Sequence, residues 1–264
     1  MKNLRKYLAI LIISFKSYNV FLWDVLWKNI IYIIRVLVII TMFKAIYKFW
    51  NTSATSYTLE QVSWWLIFVQ ALVTSRPPVA DDICDEVKSW KITNYLLNPI
   101  SYIWYKFIVN FTQYSYNLLI NLSIGFLLWF IYLGWIHTSL YWILGWLLLL
   151  IWSMFMQYFA FFIIWLFSFY IEDIAWVRMI YNFLDRLFWW NILPIPFFPV
   201  FIQSLIYMSP FAYTWYTAWL IFSRFEWDKF MYYILVQICW IIIYFVVINL
   251  IYRNAKKFLV VNWG

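Results

Sequence analysis

Long apolar runs separated by short polar intervals dominate the chain. Several runs reach the roughly 20 residues that a helix needs to cross the hydrocarbon core of a membrane. The strict alternation typical of membrane β-strands is absent. The regular runs are 30–49, 62–73 (long enough when extended to Pro77), 102–133, 140–169 and 230–252, and a less regular run covers 174–222. The pattern predicts an all-α, polytopic membrane protein with about six transmembrane helices, forming one membrane domain over residues 1–264.

Composition and charge agree with this class. Hydrophobic residues make up 67% of the chain and charged residues 11%, against about 45–50% and about 25% in soluble domains. The net charge of +8 fits basic cytoplasmic loops, so no nucleic-acid partner is expected. Counting Lys and Arg places both termini in the cytoplasm, and the chain is expected in a bacterial cytoplasmic (inner) membrane. Lys44 and Lys48, near the outer end of the first span, are exceptions to that count.

The N-terminal residues 1–28 form a basic, apolar segment without the small-residue cleavage site of a secretion signal. Lys16 and Asp24 interrupt its apolar run. These features favour an amphipathic helix that lies at the cytoplasmic interface before the first span.

A proline-rich stretch at 188–222 precedes the last span. Its prolines are Pro194, Pro196, Pro199 and Pro210. Because each proline lacks a backbone donor, one straight helix is excluded. We expect two half-helices, 199–208 and 211–222, that dip into the membrane from the outer face. An outer loop with interfacial aromatic residues is the alternative.

The longest polar interval between spans is the cytoplasmic segment 77–100. Pro77 and Pro78 end the preceding helix, and Asp81 and Asp82 lie where a new helix would begin, near the positive end of its dipole. Asp85 and Lys88 then share a face with Asp81. A solvated loop with an incidental helix is the alternative.

The sequence resembles the ABC-type export permeases of the second exporter class at three places. The first is the run DEVKSWKITNYLLNP, which is similar to the family pattern Glu-Ile-x-x-Gly-x-Ile-x-x-Leu-Leu-x-Pro between the second and third spans. The others are the proline-rich stretch Asn191–Tyr213 and the motif QICW, Gln237–Trp240, in the last span. Residues that carry the first match are Trp90, Leu96, Leu97 and Pro99, with Pro194, Pro196, Pro199 and Pro210 in the second.

The resemblance implies a permease that pairs with a second permease copy or paralogue and docks on a separate cytosolic ABC ATPase. The chain lacks the GxxxxGK[ST] phosphate loop, so it is expected to be non-catalytic and to bind no cofactor directly, with ATP and Mg on the partner subunit. The helix at 80–89 would be the coupling helix. Its candidate contacts with the ATPase are Asp81, Asp82, Asp85, Glu86 and Lys88.

Other polar residues leave alternatives open. Arg35 lies inside the first span, where it would face the translocation path or pair with an acidic neighbour, or else snorkel to the interface. Lys106, near the start of the third span, is expected to snorkel. His137, Cys84 and Cys239 match no metal or nucleophile pattern, which disfavours a membrane enzyme. An ATP-independent secondary transporter or channel is the competing interpretation.

The residue counts of 21 Trp and 4 Gly are unusual, because membrane helices are ordinarily rich in Gly. Several Trp occupy positions where the family pattern has Gly: Trp90, Trp189, Trp190 and Trp263. We hypothesise that many Trp are encoded by UGA codons that the source reads as Gly, whereas Trp65 or Trp64, and Trp240, match positions where the family pattern itself has Trp. An aromatic-rich protein from an AT-rich genome is the alternative.

Overall fold

The computed structural model describes residues 2–20, 22–49, 58–77, 101–133, 140–167, 176–177, 179–183, 199–214 and 216–261, with Asp85, Glu86, Ser89, Tyr95, Tyr170 and Ile195. Regular structure in these ranges is helical, which confirms the all-α prediction for the described part. The helices are α1 (Lys2–Val20), α2 (Leu22–Phe49), α3 (Leu59–Ser75), α4 (Tyr102–Leu133), α5 (Leu140–Leu166), α6 (Val200–Met208), α7 (Pro210–Thr214), α8 (Tyr216–Ser223) and α9 (Trp227–Val261).

Four helices of the described part are long and apolar enough to cross a membrane. They are Asn29–Lys48, Trp104–Tyr132, Tyr141–Leu166 and Trp227–Asn254. Large apolar side chains on their outer faces are exposed, such as Ile131 at 70% and Leu235 at 62%. Lipid rather than water suits such surfaces, so the fold is compatible with a membrane protein.

The shorter helix α3 forms the centre of the bundle. All residues from Val62 to Leu72 are buried, and α2, α4 and α8 pack around it. Thr58 caps its start, since its side chain accepts a hydrogen bond from Gln61 N while the Gln61 side chain accepts one from Thr58 N. With 17 residues, α3 is about 25 Å long, somewhat less than the hydrocarbon thickness of about 30 Å.

Contacts between the long helices give their directions. Trp64, early in α3, meets Trp129, late in α4, whereas Ser75 at the end of α3 accepts a hydrogen bond from Asn121. Helices α3 and α4 are therefore antiparallel. By contrast, α5 and α9 run in the same direction, because Gly145 and Phe230 adjoin near their starts and the Tyr170 hydroxyl, just after α5, donates to the Ile251 carbonyl.

The proline-rich region is broken into helices. Pro199 directly precedes α6, and Pro210 is the first residue of α7, a position where its missing N–H costs no hydrogen bond. Pro194 and Pro196 lie outside the described residues. The bounds of α6 agree within one residue with the expected half-helix 199–208, and α7 and α8 together cover the expected half-helix 211–222.

Gln237 of α9 holds this broken region in place. Its buried Nε2 donates to the Tyr213 carbonyl at 2.6 Å and lies 3.3 Å from Ser153 Oγ. One amide thus links α7, α5 and α9. The QICW motif contributes this structural contact.

At the N-terminus, α1 ends at Val20 and α2 already begins at Leu22, so residues 22–28 belong to the helix that contains the first span. The expected helix over 1–28 is wrong in this boundary. Helix α1 packs against α4, where the Tyr18 ring stacks on Tyr116 and the Tyr18 hydroxyl donates to Gln113 Oε1.

Three tryptophans from three helices meet in the core. The Trp64 ring lies 5.4 Å from that of Trp129 and 6.5 Å from that of Trp146. Their indole N–H groups are buried and have no hydrogen-bond partner among the described residues. Buried indoles normally find an acceptor, so glycine at 129 and 146 would remove two orphaned donors. Trp90, Trp189, Trp190 and Trp263 lie outside the described residues.

We therefore expect peptides of the protein from its natural source to contain glycine at Trp129 and Trp146, as well as at Trp90, Trp189, Trp190 and Trp263. Peptide mass spectrometry measures this directly, because the two residues differ greatly in mass. Tyrosine-containing peptides without Trp serve as the mass control. Peptides with tryptophan masses at these positions, or UGG codons in the gene, would refute the codon hypothesis.

Candidate functional site

The segment 77–100, which is expected to be cytoplasmic and to contact an ATPase, is described at Asp85, Glu86, Ser89 and Tyr95. Asp81, Asp82 and Lys88, together with Trp90, Leu96, Leu97 and Pro99, lie outside the described residues. The two described acidic residues, Asp85 and Glu86, have different environments.

Glu86 forms a buried junction with the first turns of α4. Its Oε1 lies 2.5 Å from Lys106 Nζ, and its Oε2 accepts a hydrogen bond from the Tyr102 hydroxyl at 2.6 Å. The exposed fractions of the side chains are 16% for Glu86 and 10% for Lys106. Both carboxylate oxygens are thus engaged within the chain.

Helix geometry explains why α4 supplies both partners. Tyr102 and Lys106 are four residues apart, so they project from one face of α4. A carboxylate that reaches this face meets a hydroxyl donor and an ammonium group together. We call this group of Glu86, Tyr102 and Lys106 the Glu86 junction.

Aromatic rings shield the Glu86 junction. The Tyr95 ring centroid lies 5.7 Å from that of Tyr102 and 5.8 Å from Lys106 Nζ. On the other side, Trp165 of α5 lies 5.6 Å from Tyr102. These rings lower the local dielectric, which strengthens the ion pair.

The protonation of Tyr102 fits its role as a donor. Burial, followed by its hydrogen bond to Glu86, raises the pKa of the Tyr102 phenol far above its usual range. The phenol therefore stays protonated at every physiological pH and donates to the carboxylate.

Asp85, in contrast, is exposed. Its backbone carbonyl accepts from Ser89 N at 2.9 Å and from Ser89 Oγ at 2.6 Å, which closes one helical turn. The side chain of Asp85 is thus presented to solvent while the adjacent Glu86 is held against α4.

The expectation that Lys106 snorkels to the interface is wrong. Lys106 is 8% exposed and pairs with a residue 20 positions earlier. The sequence signal for this pairing is only the Tyr-x-x-x-Lys spacing, which does not name the acidic partner.

Arg35 lies on the exposed face of α2, and its Nη1 donates to Gln70 Oε1 of α3 at 3.4 Å. This contact is with a neutral amide, not with the acidic neighbour considered for it. Cys239 is a free, exposed thiol, whereas Cys84 and His137 lie outside the described residues.

The chain was also compared with known proteins. No protein-family model matches it, and neither does any curated protein sequence.

Proposed function

We propose that this chain is the membrane-spanning permease subunit of an ATP-driven ABC exporter. The observation that supports the proposal is the Glu86 junction, in which an ion pair and a hydrogen bond fix the segment before α4 to the first turns of that long apolar helix. A subunit that is driven by a cytosolic motor requires such a rigid connection. The ATPase would be a separate polypeptide that binds ATP and Mg.

Helix α4 is well placed to pass on a displacement. It packs along α1 and α3 and also contacts α2. A movement of the cytoplasmic segment would shift α4, and with it the central helix α3. A second permease copy would complete a transport path along exposed faces such as that of α2, where Arg35 lies.

Helix directions support the proposed six crossings. Because α5 and α9 run in the same direction, the connection between them must return from one end of the bundle to the other. The re-entrant arrangement has similar support. Tyr213 of α7 lies beside Gln237, ten residues into α9 and so about 15 Å from its start, whereas Phe225 reaches the start of α5 at Tyr141.

If the segment that contains Asp85 docks on the ATPase, a charge reversal at Asp85 is predicted to reduce ATPase binding. When the wild-type chain is purified gently from native membranes, we expect an ABC ATPase to co-elute stoichiometrically. Asp85→Lys reverses an exposed charge on the docking segment, so we expect the ATPase to be reduced at least about tenfold, as for a lost interfacial charge contact. Quantitative mass spectrometry of the eluate measures the ratio.

The matched control is Glu60→Lys. Glu60 is exposed like Asp85, but it lies in the first turn of α3 at the opposite end of the bundle. We expect it to retain the ATPase. If the wild-type chain elutes without any ATPase, the exporter proposal fails, and a secondary transporter or channel becomes the better interpretation.

A further inference from the structure

A cationic side chain interrupts the apolar outer face of α2. Arg35 is exposed and lies between Asn29 and Lys48, the limits of the part of α2 that is able to cross a membrane. Ile31 and Val38, four residues before it and three after it, project from the same face and are 61% and 60% exposed. An arginine among lipid-facing residues is costly and in general marks a functional site.

The contacts of Arg35 leave its charge without a counter-ion in the part of the chain that the structure describes. Its hydrogen bond there runs from Nη1 to the side-chain oxygen of Gln70 in α3 at 3.4 Å, and this amide oxygen belongs to a neutral group. Gln70 is 2% exposed, so packing fixes its position in the bundle. Arg35 is therefore held against α3 but is not neutralised by it, and an anion from outside the chain can reach its exposed side.

The geometry of the guanidinium favours an anion with two oxygens side by side. With Nη1 directed to Gln70, the other edge, formed by Nε and Nη2, makes no hydrogen bond with the described residues. Two parallel N–H groups lie on this edge, which is the arrangement that binds a phosphate through two charge-assisted hydrogen bonds. The exposed edge of Arg35 is thus a ready donor pair for a phosphate group.

The position of Arg35 along α2 suits a lipid phosphate. Arg35 lies six residues after Asn29, about 9 Å along the helix axis, and helical side chains lean towards the N-terminus of their helix. A long arginine side chain brings its charge towards the surface of the hydrocarbon core at that end, where phospholipid phosphates lie. The apolar side chains of Val38 and Met42, which follow on the same face, are exposed and lead towards the centre of the segment.

From these observations we propose that the face of α2 around Arg35 binds an anionic amphiphile of the phospholipid type. Its phosphate accepts hydrogen bonds from Nε and Nη2 of Arg35, and an acyl chain lies along Val38 and Met42. The unpaired cation selects an anionic headgroup, and the exposed apolar neighbours select a ligand with a hydrocarbon chain over a free inorganic anion. Binding does not depend on the exporter proposal. That such an amphiphile is the exported cargo does rest on the proposed function.

The test uses the full chain purified in a neutral detergent and titrated separately with three probes. Dioctanoyl phosphatidylglycerol has an anionic headgroup, dioctanoyl phosphatidylcholine has the same chains without a net charge, and sodium phosphate has the charge without chains. Native mass spectrometry measures the bound fraction of each probe. We expect phosphatidylglycerol to bind saturably and at least about tenfold more tightly than the other two, as for a gained charge-assisted hydrogen bond.

Variants identify the site. We expect Arg35→Gln to weaken the binding of phosphatidylglycerol at least about tenfold and to leave that of phosphatidylcholine unchanged. Arg35→Lys keeps the charge without the planar fork, so it should lose less, and it tests the site if Arg35→Gln does not fold. Lys48→Gln is the matched control, because it removes an exposed cation from the same helix about 20 Å further along. It should bind as the wild-type chain does.

Four results would overturn the proposal. Equal affinities for phosphatidylglycerol and phosphatidylcholine, or unchanged binding in Arg35→Gln, would exclude an anion site at Arg35. Equal losses in Arg35→Gln and Lys48→Gln would indicate a general attraction of anions to a basic chain. Sodium phosphate that binds as tightly as phosphatidylglycerol would exclude the amphiphile. A wild-type chain that is dimeric without lipid, together with a monomeric Arg35→Gln, would assign Arg35 to a contact between copies. None of these measurements involves an ATPase, so their failure is distinct from failure of the exporter proposal.

Discussion

Lys106→Met is expected to lower the free energy of unfolding by about 3 kcal/mol, which is the scale of the loss when one partner of a buried ion pair is removed. The reason is that the Glu86 side chain, which is only 16% exposed, would keep its charge after losing its ammonium partner. Methionine preserves the apolar stem of Lys106 and its packing, so the loss reports on the charge. Detergent-titrated unfolding, followed by circular dichroism, measures it.

The double variant Glu86→Gln with Lys106→Met provides the control. It contains no unpaired charge, and Tyr102 can still donate to the glutamine oxygen. We expect it to regain most of the lost stability, since neutral isosteres of buried ion pairs often cost little. If the single and double variants unfold alike, the ion pair is not formed in the protein.

Under the proposed function, the Glu86 junction distinguishes two adjacent acidic residues, because Asp85 is exposed and Glu86 is paired within the chain. If an ATPase docks as proposed, Lys106→Met is expected to leave it bound and to disrupt the transmission of its movement. In a reconstituted complex, we expect retained co-purification with strongly reduced ATP-dependent transport. A loss of the ATPase itself in Lys106→Met would place Glu86 in the docking surface after all.

The spans that the sequence predicted well are those with strong local signals. The run at 30–49 corresponds to the apolar segment Asn29–Lys48, and the run at 140–169 to Tyr141–Leu166, because length and hydropathy are properties of neighbouring residues. Proline similarly marked the breaks at Pro199 and Pro210, since the missing backbone donor acts within one turn.

What the sequence could not predict depends on contacts between distant residues. The pairing of Glu86 with Lys106 spans 20 positions, and the contact of Tyr114 with Gln157 spans 43. Arg76, the residue directly after α3, likewise reaches the Phe161 ring of α5. Nothing local in the sequence distinguishes an arginine in a loop from one that packs on a distant ring.

Helices α3 and α4 approach closely at Gly125, so a side chain added there is expected to destabilise the protein strongly. A Cβ atom at Gly125 would lie 2.6 Å from Ile67 Cγ2 and 2.7 Å from the Tyr32 hydroxyl oxygen. The Tyr32 hydroxyl is itself engaged, since it donates to the Ile67 carbonyl at 3.3 Å. Small residues at such points allow the backbones of membrane helices to approach, and here three helices meet at one glycine.

We expect Gly125→Ala to destabilise the chain by about 1 kcal/mol and Gly125→Leu by about 3 kcal/mol, the range found for overpacked cores. The direction of the stability change in Gly125→Ala is informative, because Gly→Ala at an open helical position stabilises a protein. Ser123→Leu is the matched control, since Ser123 is exposed on the same helix and a leucine there would face lipid. Thermal unfolding of the three variants in one detergent measures their order of stability. A Gly125→Ala variant that is more stable than the wild-type chain would show that α2, α3 and α4 do not meet at this residue.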